Sequence, residues 1–265
     1  MHCPVVVLGG GPGGYAAAFL AADEGMEVTI VEAEPTLGGT CLLRGCIPSK
    51  ALLHVAKVIS EVDELRNDWG VVYDAKPQID IDKVRARKDQ VISSLTGGLG
   101  QLAKRRNVTL IQARGSFINS TTLKLEGDHE SIPEGGTLTF DHCILATGSV
   151  PAMPAAFRID SDRVMDSTGA LNLADIPESM LVVGGGYIGL EMGSVYAQLG
   201  SKVTVVELAE SLLPGADKDL VKPLAKRIDK LCEGRVLTNT KVGSLTEVDD
   251  KIVVTFEGPG HFGNE

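Results

Sequence analysis

The same strand, glycine turn, helix, strand and acid are spelled twice in this chain. Residues 5–8 are apolar, GGGPGG follows at 9–14, residues 15–22 are rich in alanine, and the apolar run 28–31 ends at Glu32. The pattern returns as 181–183, GGGYIG at 184–189, 190–199, 203–206 and Glu207. Gly9 to Glu32 and Gly184 to Glu207 are both separations of 23 residues, so the second copy lies 175 residues after the first. Such spacing argues for a repeated folding unit rather than chance. Apolar runs alternating with helical stretches need a parallel sheet with helices on its faces. Short β-like runs at 108–112, 121–125, 137–140 and 143–146 add antiparallel pieces. The expected fold is α/β: two Rossmann-like, three-layer dinucleotide-binding domains with small antiparallel meander insertions.

One G-x-G-x-x-G is a weak signal; a pair, each with its strand, helix and acid, is strong. The first glycine allows the tight turn, the second lets a pyrophosphate approach the backbone, and the third packs helix against strand. These are Gly9, Gly11 and Gly14 in the first copy, and Gly184, Gly186 and Gly189 in the second. The helix N-terminus offers N–H groups and a positive dipole end to the phosphates. Glu32 and Glu207 are expected to accept hydrogen bonds from ribose hydroxyls. A carboxylate at 207, with no arginine closely following and Lys202 before the strand, suits a free 2′-hydroxyl and repels a 2′-phosphate, so the second site should prefer NAD to NADP.

Two cysteines, Cys41 and Cys46, sit in GGTCLLRGCIPSK at 38–50, shortly after the first glycine turn. In an ideal helix, residues five apart have Cα atoms roughly 8–9 Å apart, whereas a disulfide needs about 4.4–6.8 Å. A bond between them therefore requires a distorted helix start, which Gly45 and Pro48 make reasonable. A thiolate at a helix N-terminus is stabilised for exchange. The five cysteines (Cys3, Cys41, Cys46, Cys143 and Cys232) form no dense framework, and an odd count in 265 residues fits a reducing, cytoplasmic compartment. Cys143 reads as core, and Cys3 and Cys232 have no partner at a recognisable spacing. A net charge of −10 argues against nucleic acid or an anionic membrane surface. No apolar run approaches a membrane span, and residues 4–22 lack the preceding basic residue of a signal peptide.

GGTCLLRGCIPSK, SKALLHVAKVI (49–59), LTGGL (95–99), ATGS (146–149), GGGYIGLEMG (184–193) and ADKDLVK (216–222) carry a resemblance. They resemble the flavin-dependent pyridine nucleotide-disulfide oxidoreductases, and within that family the bacterial dihydrolipoamide dehydrogenase branch. The resemblance covers essentially the whole chain. Leu43–Arg44, where the family commonly has Asn-Val, is a departure that touches no electron-transfer position.

The resemblance implies FAD in the first finger and NAD in the second. Electrons would pass from a substrate dithiol through a Cys41–Cys46 disulfide to FAD and on to NAD. Cys41 would be the exchange sulfur and Cys46 the flavin-facing one. Lys50, paired with Glu191, would hold a cation near the flavin. Tyr187 would gate the flavin until nicotinamide displaces it. Thr147 and Gly148 would lie near the flavin, Ala113 at the adenine, and Val242 at the adenosine end of NAD. Gly39, Thr40 and Ile188 complete the cofactor-binding candidates; no metal site is expected.

The implied division is an FAD-binding domain at 1–146 and an NAD-binding domain at 147–265, starting in a linker-like stretch (147–166) with two prolines. Helices are expected at 48–66 and 83–105. The family continues with a return to the flavin domain and an interface domain that supplies a His–Glu pair, so the chain is expected to be an N-terminal portion, poorly active alone. His261 and Glu265 differ from that pair in spacing and lack its proline. The implied partners are a lipoyl domain of a 2-oxo-acid dehydrogenase complex and, for the complete enzyme, a second copy. Two alternatives stand beside this reading: a glutathione- or mercuric-reductase-like enzyme, or a non-catalytic FAD/NAD-binding module.

Overall fold

The structure, a computed structural model, describes residues 1–75 and 77–259. In chain order its elements are β1 (His2–Leu8), α1 (Pro12–Asp23), β2 (Val28–Glu32), α2 (Gly39–Arg44), α3 (Cys46–Asp68), α4 (Ile81–Arg105), β3 (Thr109–Gln112), β4 (Arg114–Asn119), β5 (Thr122–Glu126) and β6 (Thr137–Leu145). There follow α5 (Ser167–Asn172), β7 (Ser179–Val183), α6 (Tyr187–Leu199), β8 (Lys202–Val206), α7 (Lys218–Leu231), β9 (Val236–Leu237), β10 (Lys241–Val248) and β11 (Lys251–Glu257). The chain forms two compact units, one of Met1–Pro48 with Asp89–Val150, the other of Ser49–Lys88 with the chain from Pro151 on.

In the first unit six strands lie in the order β3-β2-β1-β6-β5-β4. The β1, β2, β3 and β6 pairings are parallel, and β6-β5-β4 is an antiparallel meander. β1 is apolar without alternation because both its faces are buried, as in parallel sheets generally. Val5 and Val7 pack with Ala18 of α1 and Ala103 of α4. Val6 and Leu8 point the other way, against Ile111, Leu123 and Leu138. The runs expected as two strands at 137–140 and 143–146 are one. The polar pair Asp141–His142 reads as a break in the sequence, but the ladder with β1 runs through it, His142 opposite Val5.

The second unit has a parallel sheet β7-β8-β9 and an antiparallel hairpin β10-β11. Its core joins Leu52 and Ala56 of α3 to Leu190, Val195 and Tyr196 of α6 and Val203 and Val205 of β8. Asp166 caps α5 by accepting from Gly169 N at 2.9 Å.

Tyr196 is buried, and its hydroxyl donates to the Ala170 carbonyl at 2.9 Å. Burial, with Asp175 adding, pushes this phenol up to about 12. The unfolded value is about 10, so the folded state holds the proton longer. This contribution is complete below pH about 10 and is lost as pH rises from there towards 12. Tyr196→Phe should lower stability at neutral pH by about 1 kcal/mol and flatten the alkaline decline above pH 10. Denaturant melts of both proteins between pH 7 and 11 check this.

Candidate functional site

The two glycine turns are built alike, bond for bond. Gly9 and Gly184 take φ values of +105° and +106°, and their N–H groups donate to Val31 and Val206 carbonyls, each at 2.8 Å. Gly10 N donates to Glu32 Oε2 at 2.5 Å, and Gly185 N to Glu207 Oε2 at 2.6 Å. The second oxygen of each acid accepts from the backbone two residues on, Glu34 N at 2.9 Å and Ala209 N at 2.7 Å. The likeness runs further than the motif. Gly38 N donates to Gly10 O and Leu213 N to Gly185 O, both at 2.9 Å. Leu37 and Leu212 cover the middle glycines, leaving 2.6 and 2.5 Å between their Cδ2 atoms and an added Cβ.

The glycines divide their work as a dinucleotide cradle requires. A Cβ on Gly14 would lie 1.8 Å from Gly9 O, and one on Gly189 would lie 2.3 Å from Gly184 O, so the third glycine is a packing contact. A Cβ on Gly186 meets nothing within 4 Å, and one on Gly11 meets only Gly39 Cα at 3.6 Å. The second glycine therefore faces space in which a phosphate fits against bare backbone. Neither α1 nor α6 has a side-chain cap, which leaves first-turn N–H groups for an anion. Each carboxylate oxygen accepts from one backbone N–H and retains a lone pair for a ribose hydroxyl. The residues present fit a dinucleotide in both turns.

The cysteine segment is broken where a disulfide would need it to be. α2 ends at Arg44, Gly45 takes φ −148° and ψ −111°, and α3 begins at Cys46. A Cβ on Gly45 would lie 2.8 Å from Thr40 O and 3.4 Å from Cys41 Cα, so the chain's tight turn off the end of α2 needs glycine. Cys46 thus opens a helix of 23 residues, at its positive end. Cys41 is half-buried and Cys46 exposed. Burial raises the Tyr15 hydroxyl, and the thiolates of Cys41 and Cys46 raise it further, which places this finger-helix side chain within electrostatic reach of both.

The other first-unit candidates gather around the same turn. Gly39 (φ +56°) sits against Gly11, its added Cβ only 2.6 Å from Gly11 Cα. Thr40 Oγ1 donates to Ser149 O at 3.1 Å, tying α2 to the segment of Thr147 and Gly148, and Gly148 has φ +70°. Ala113 is buried, and its N–H goes to Glu32 O at 2.8 Å. Gly39→Ala should loosen this turn: flavin retained through purification should fall at least about tenfold, the order of effect of an overpacked close contact, and absorbance of the purified protein checks it.

In the second unit, Lys50 Nζ pairs with Glu191 Oε1 at 2.5 Å and reaches Ser49 Oγ at 3.3 Å. Tyr187 and Ile188 open α6 and are exposed, and Val242 is buried on β10 opposite Phe256. The remaining cysteines are held as thiols: burial raises Cys3, Cys143 and Cys232. His261 and Glu265 lie outside the described residues. Sequence reading overlooked Leu37, Leu212 and Leu213, which fix the turns, and the ion pair of Arg44 with Glu34. The 175-residue offset was the available signal for Leu37 and Leu212.

Two dinucleotide cradles and a cysteine pair in one chain define a class, and the chain belongs to it: residues 3–261 match the pyridine nucleotide-disulphide oxidoreductase family. The chain is 49% identical over 255 residues to the dihydrolipoyl dehydrogenase of Vibrio parahaemolyticus, covering 96% of this chain and 52% of that protein. Among solved structures it is similar to LpdA of Mycobacterium tuberculosis (TM-score 0.82, 25% identity, 96% of this chain and 55% of that one). The HOCl-induced flavoprotein disulfide reductase RclA of Escherichia coli is also similar (TM-score 0.80, 29% identity, 97% and 54%). The chain spans about half the length of the curated relatives it matches. Among the described residues, no helix is long and apolar enough to cross a membrane.

Proposed function

We propose that the complete protein is a dihydrolipoyl dehydrogenase that oxidises protein-bound dihydrolipoamide, with FAD in the first cradle and NAD in the second. The observation that carries this reading is the Gly45 break, which ends one helix after Cys41 and starts another at Cys46 beside the first cradle. A thiolate of the substrate attacks Cys41, and Cys46 leaves as thiolate at a helix N-terminus that stabilises it. The second substrate thiol then attacks the mixed disulfide, closes the lipoyl ring and frees Cys41. Held by the turn of Gly9, Gly11 and Gly14 and by Glu32, FAD would supply two-electron transfer between the Cys41–Cys46 dithiol and NAD. Lys50, oriented by Glu191, supplies a fixed cation for the reduced flavin. Tyr187, exposed on α6, serves as the flavin gate.

In this reading residues 1–146 hold FAD and residues 147–265 hold NAD. The protein works in the cytoplasm as a homodimer, docking the lipoyl domain of a 2-oxo-acid dehydrogenase complex. Steady-state NADH formation from dihydrolipoamide by the complete protein tests it; faster NADPH-dependent reduction of glutathione disulfide or Hg(II) would replace this reading with a neighbouring one. NADP should be used about a hundredfold less well than NAD, the order of a like-charge juxtaposition at Glu207. Glu207→Ala should narrow that ratio while weakening NAD binding, because Gly185 N and Ala209 N lose their acceptor. Comparing kcat/KM for the two cofactors checks it.

A further inference from the structure

The first cradle carries a half-buried connection to the cysteine segment. Arg44, between the two cysteines, forms an ion pair with Glu34, and both side chains are half-buried. Glu34 lies two residues past Glu32, and its N–H holds Glu32 Oε1 at 2.9 Å. The other Glu32 oxygen holds Gly10 N, and Gly10 O in turn accepts from Gly38 N at 2.9 Å, at the head of the helix that carries Cys41 and Arg44. The circuit Gly10, Glu32, Glu34, Arg44, α2, Gly38 is closed. It joins the phosphate turn, the ribose acid and the cysteine segment through short bonds.

The 175-residue repeat supplies an internal control. The counterpart of Glu34 is Ala209, and that of Arg44 is Asp219. Ala209 N still donates to Glu207 Oε1 at 2.7 Å, so the backbone half of the circuit is common to both cradles. The second cradle's nearest pair, Lys218 with Glu210 at 3.5 Å, is exposed and falls one residue off each of those counterparts, whereas the first cradle's pair is half-buried and ends one residue before the Gly45 break. A Cys41–Cys46 bond would hold the end of α2 and the start of α3 to the separation that a disulfide needs, across Gly45. A shift of α2 pulls on Glu34 through Arg44, and hence on the Glu32 carboxylate.

We propose that the Arg44–Glu34 pair is a coupling strap: it links the oxidation state of Cys41 and Cys46 to the affinity of the first cradle for the adenosine end of FAD. Arg44 is thus a positioning residue that acts through Glu34 and Glu32. The inference rests on the FAD reading of the first cradle, and linkage makes it reciprocal, with bound FAD biasing the cysteine couple by the same factor.

The test uses the complete protein freed of FAD. One portion keeps the Cys41–Cys46 disulfide. The other is treated with a water-soluble phosphine, which takes up water, becomes the phosphine oxide and leaves two thiols. FAD affinity is measured by flavin fluorescence in both. The oxidised and reduced forms should differ about two- to fivefold, the range an exposed ion pair supports. In Arg44→Met and in Glu34→Gln the ratio should fall to about one, and Arg44→Lys should restore most of it. A merely structural Arg44 would weaken FAD in both states and leave the ratio intact. Equal affinities in the two states of the unsubstituted protein, or a ratio unchanged in Arg44→Met, overturn the strap. Failure of FAD to bind in either state would instead overturn the FAD reading itself.

Discussion

The complete protein carrying Cys46→Ser should form NADH from dihydrolipoamide at less than about a thousandth of the unsubstituted rate, the order of effect of losing a nucleophile. Serine fills the same place at the head of α3 but cannot share a disulfide, so an electron pair arriving at Cys41 has no route onward. The substitution should leave both cradles intact, because Gly10 and Gly185 are held by Glu32 and Glu207. FAD should therefore be retained, and NADH should still reduce an artificial acceptor such as ferricyanide. Cys41→Ser should show the same pattern. Loss of both activities together would mean that the substitution had damaged the fold, and retention of both would mean that the cysteines are not on the electron path.

Gly14→Ala should be the most damaging single methyl in the first unit. Its Cβ would fall 1.8 Å from the Gly9 carbonyl oxygen, and that atom belongs to the turn itself. Backbone cannot rotate aside as a side chain can, so α1 must lift from β1 and the phosphate turn must open. The expected cost is about 3 kcal/mol, the upper end for overpacking, with FAD lost on purification. Gly13→Ala makes the contrast: its Cβ meets nothing within 4 Å, and in a helix alanine gains about 0.5–1 kcal/mol over glycine. Thermal melts and flavin content of the two variants separate a packing role from a general need for glycine.

Much of this was legible because glycine and acid spacing is dictated by backbone sterics. The turn at Gly9 and the clash at Gly14 follow from the motif, and so do their copies at Gly184 and Gly189. The break at Gly45 was legible as a condition, since two cysteines five apart cannot bond across a regular helix. Other features depend on tertiary neighbours. α2 is only six residues long and contains Gly39 and Thr40, so no helical period announces it. β4 reads RGSFIN, and it is a strand only because β5 pairs with it. Leu37 and Leu212 look like ordinary apolar residues until their side chains are seen over Gly10 and Gly185. The Arg44–Glu34 pair spans ten residues with no motif, and only the return of the chain after β2 brings the two together.

Electrons are expected to pass between NAD in the second cradle and the Cys41–Cys46 pair. The most direct measurement runs the path backwards in the FAD-loaded complete protein. One equivalent of NADH is added without oxygen, thiols are alkylated, and the labelled cysteines are mapped by mass spectrometry. NADH with one proton reduces one disulfide to two thiols, so Cys41 and Cys46 should become labelled together, while Cys3, Cys143 and Cys232 stay as they were. Labelling of Cys41 and Cys46 that is unchanged by NADH would contradict the account.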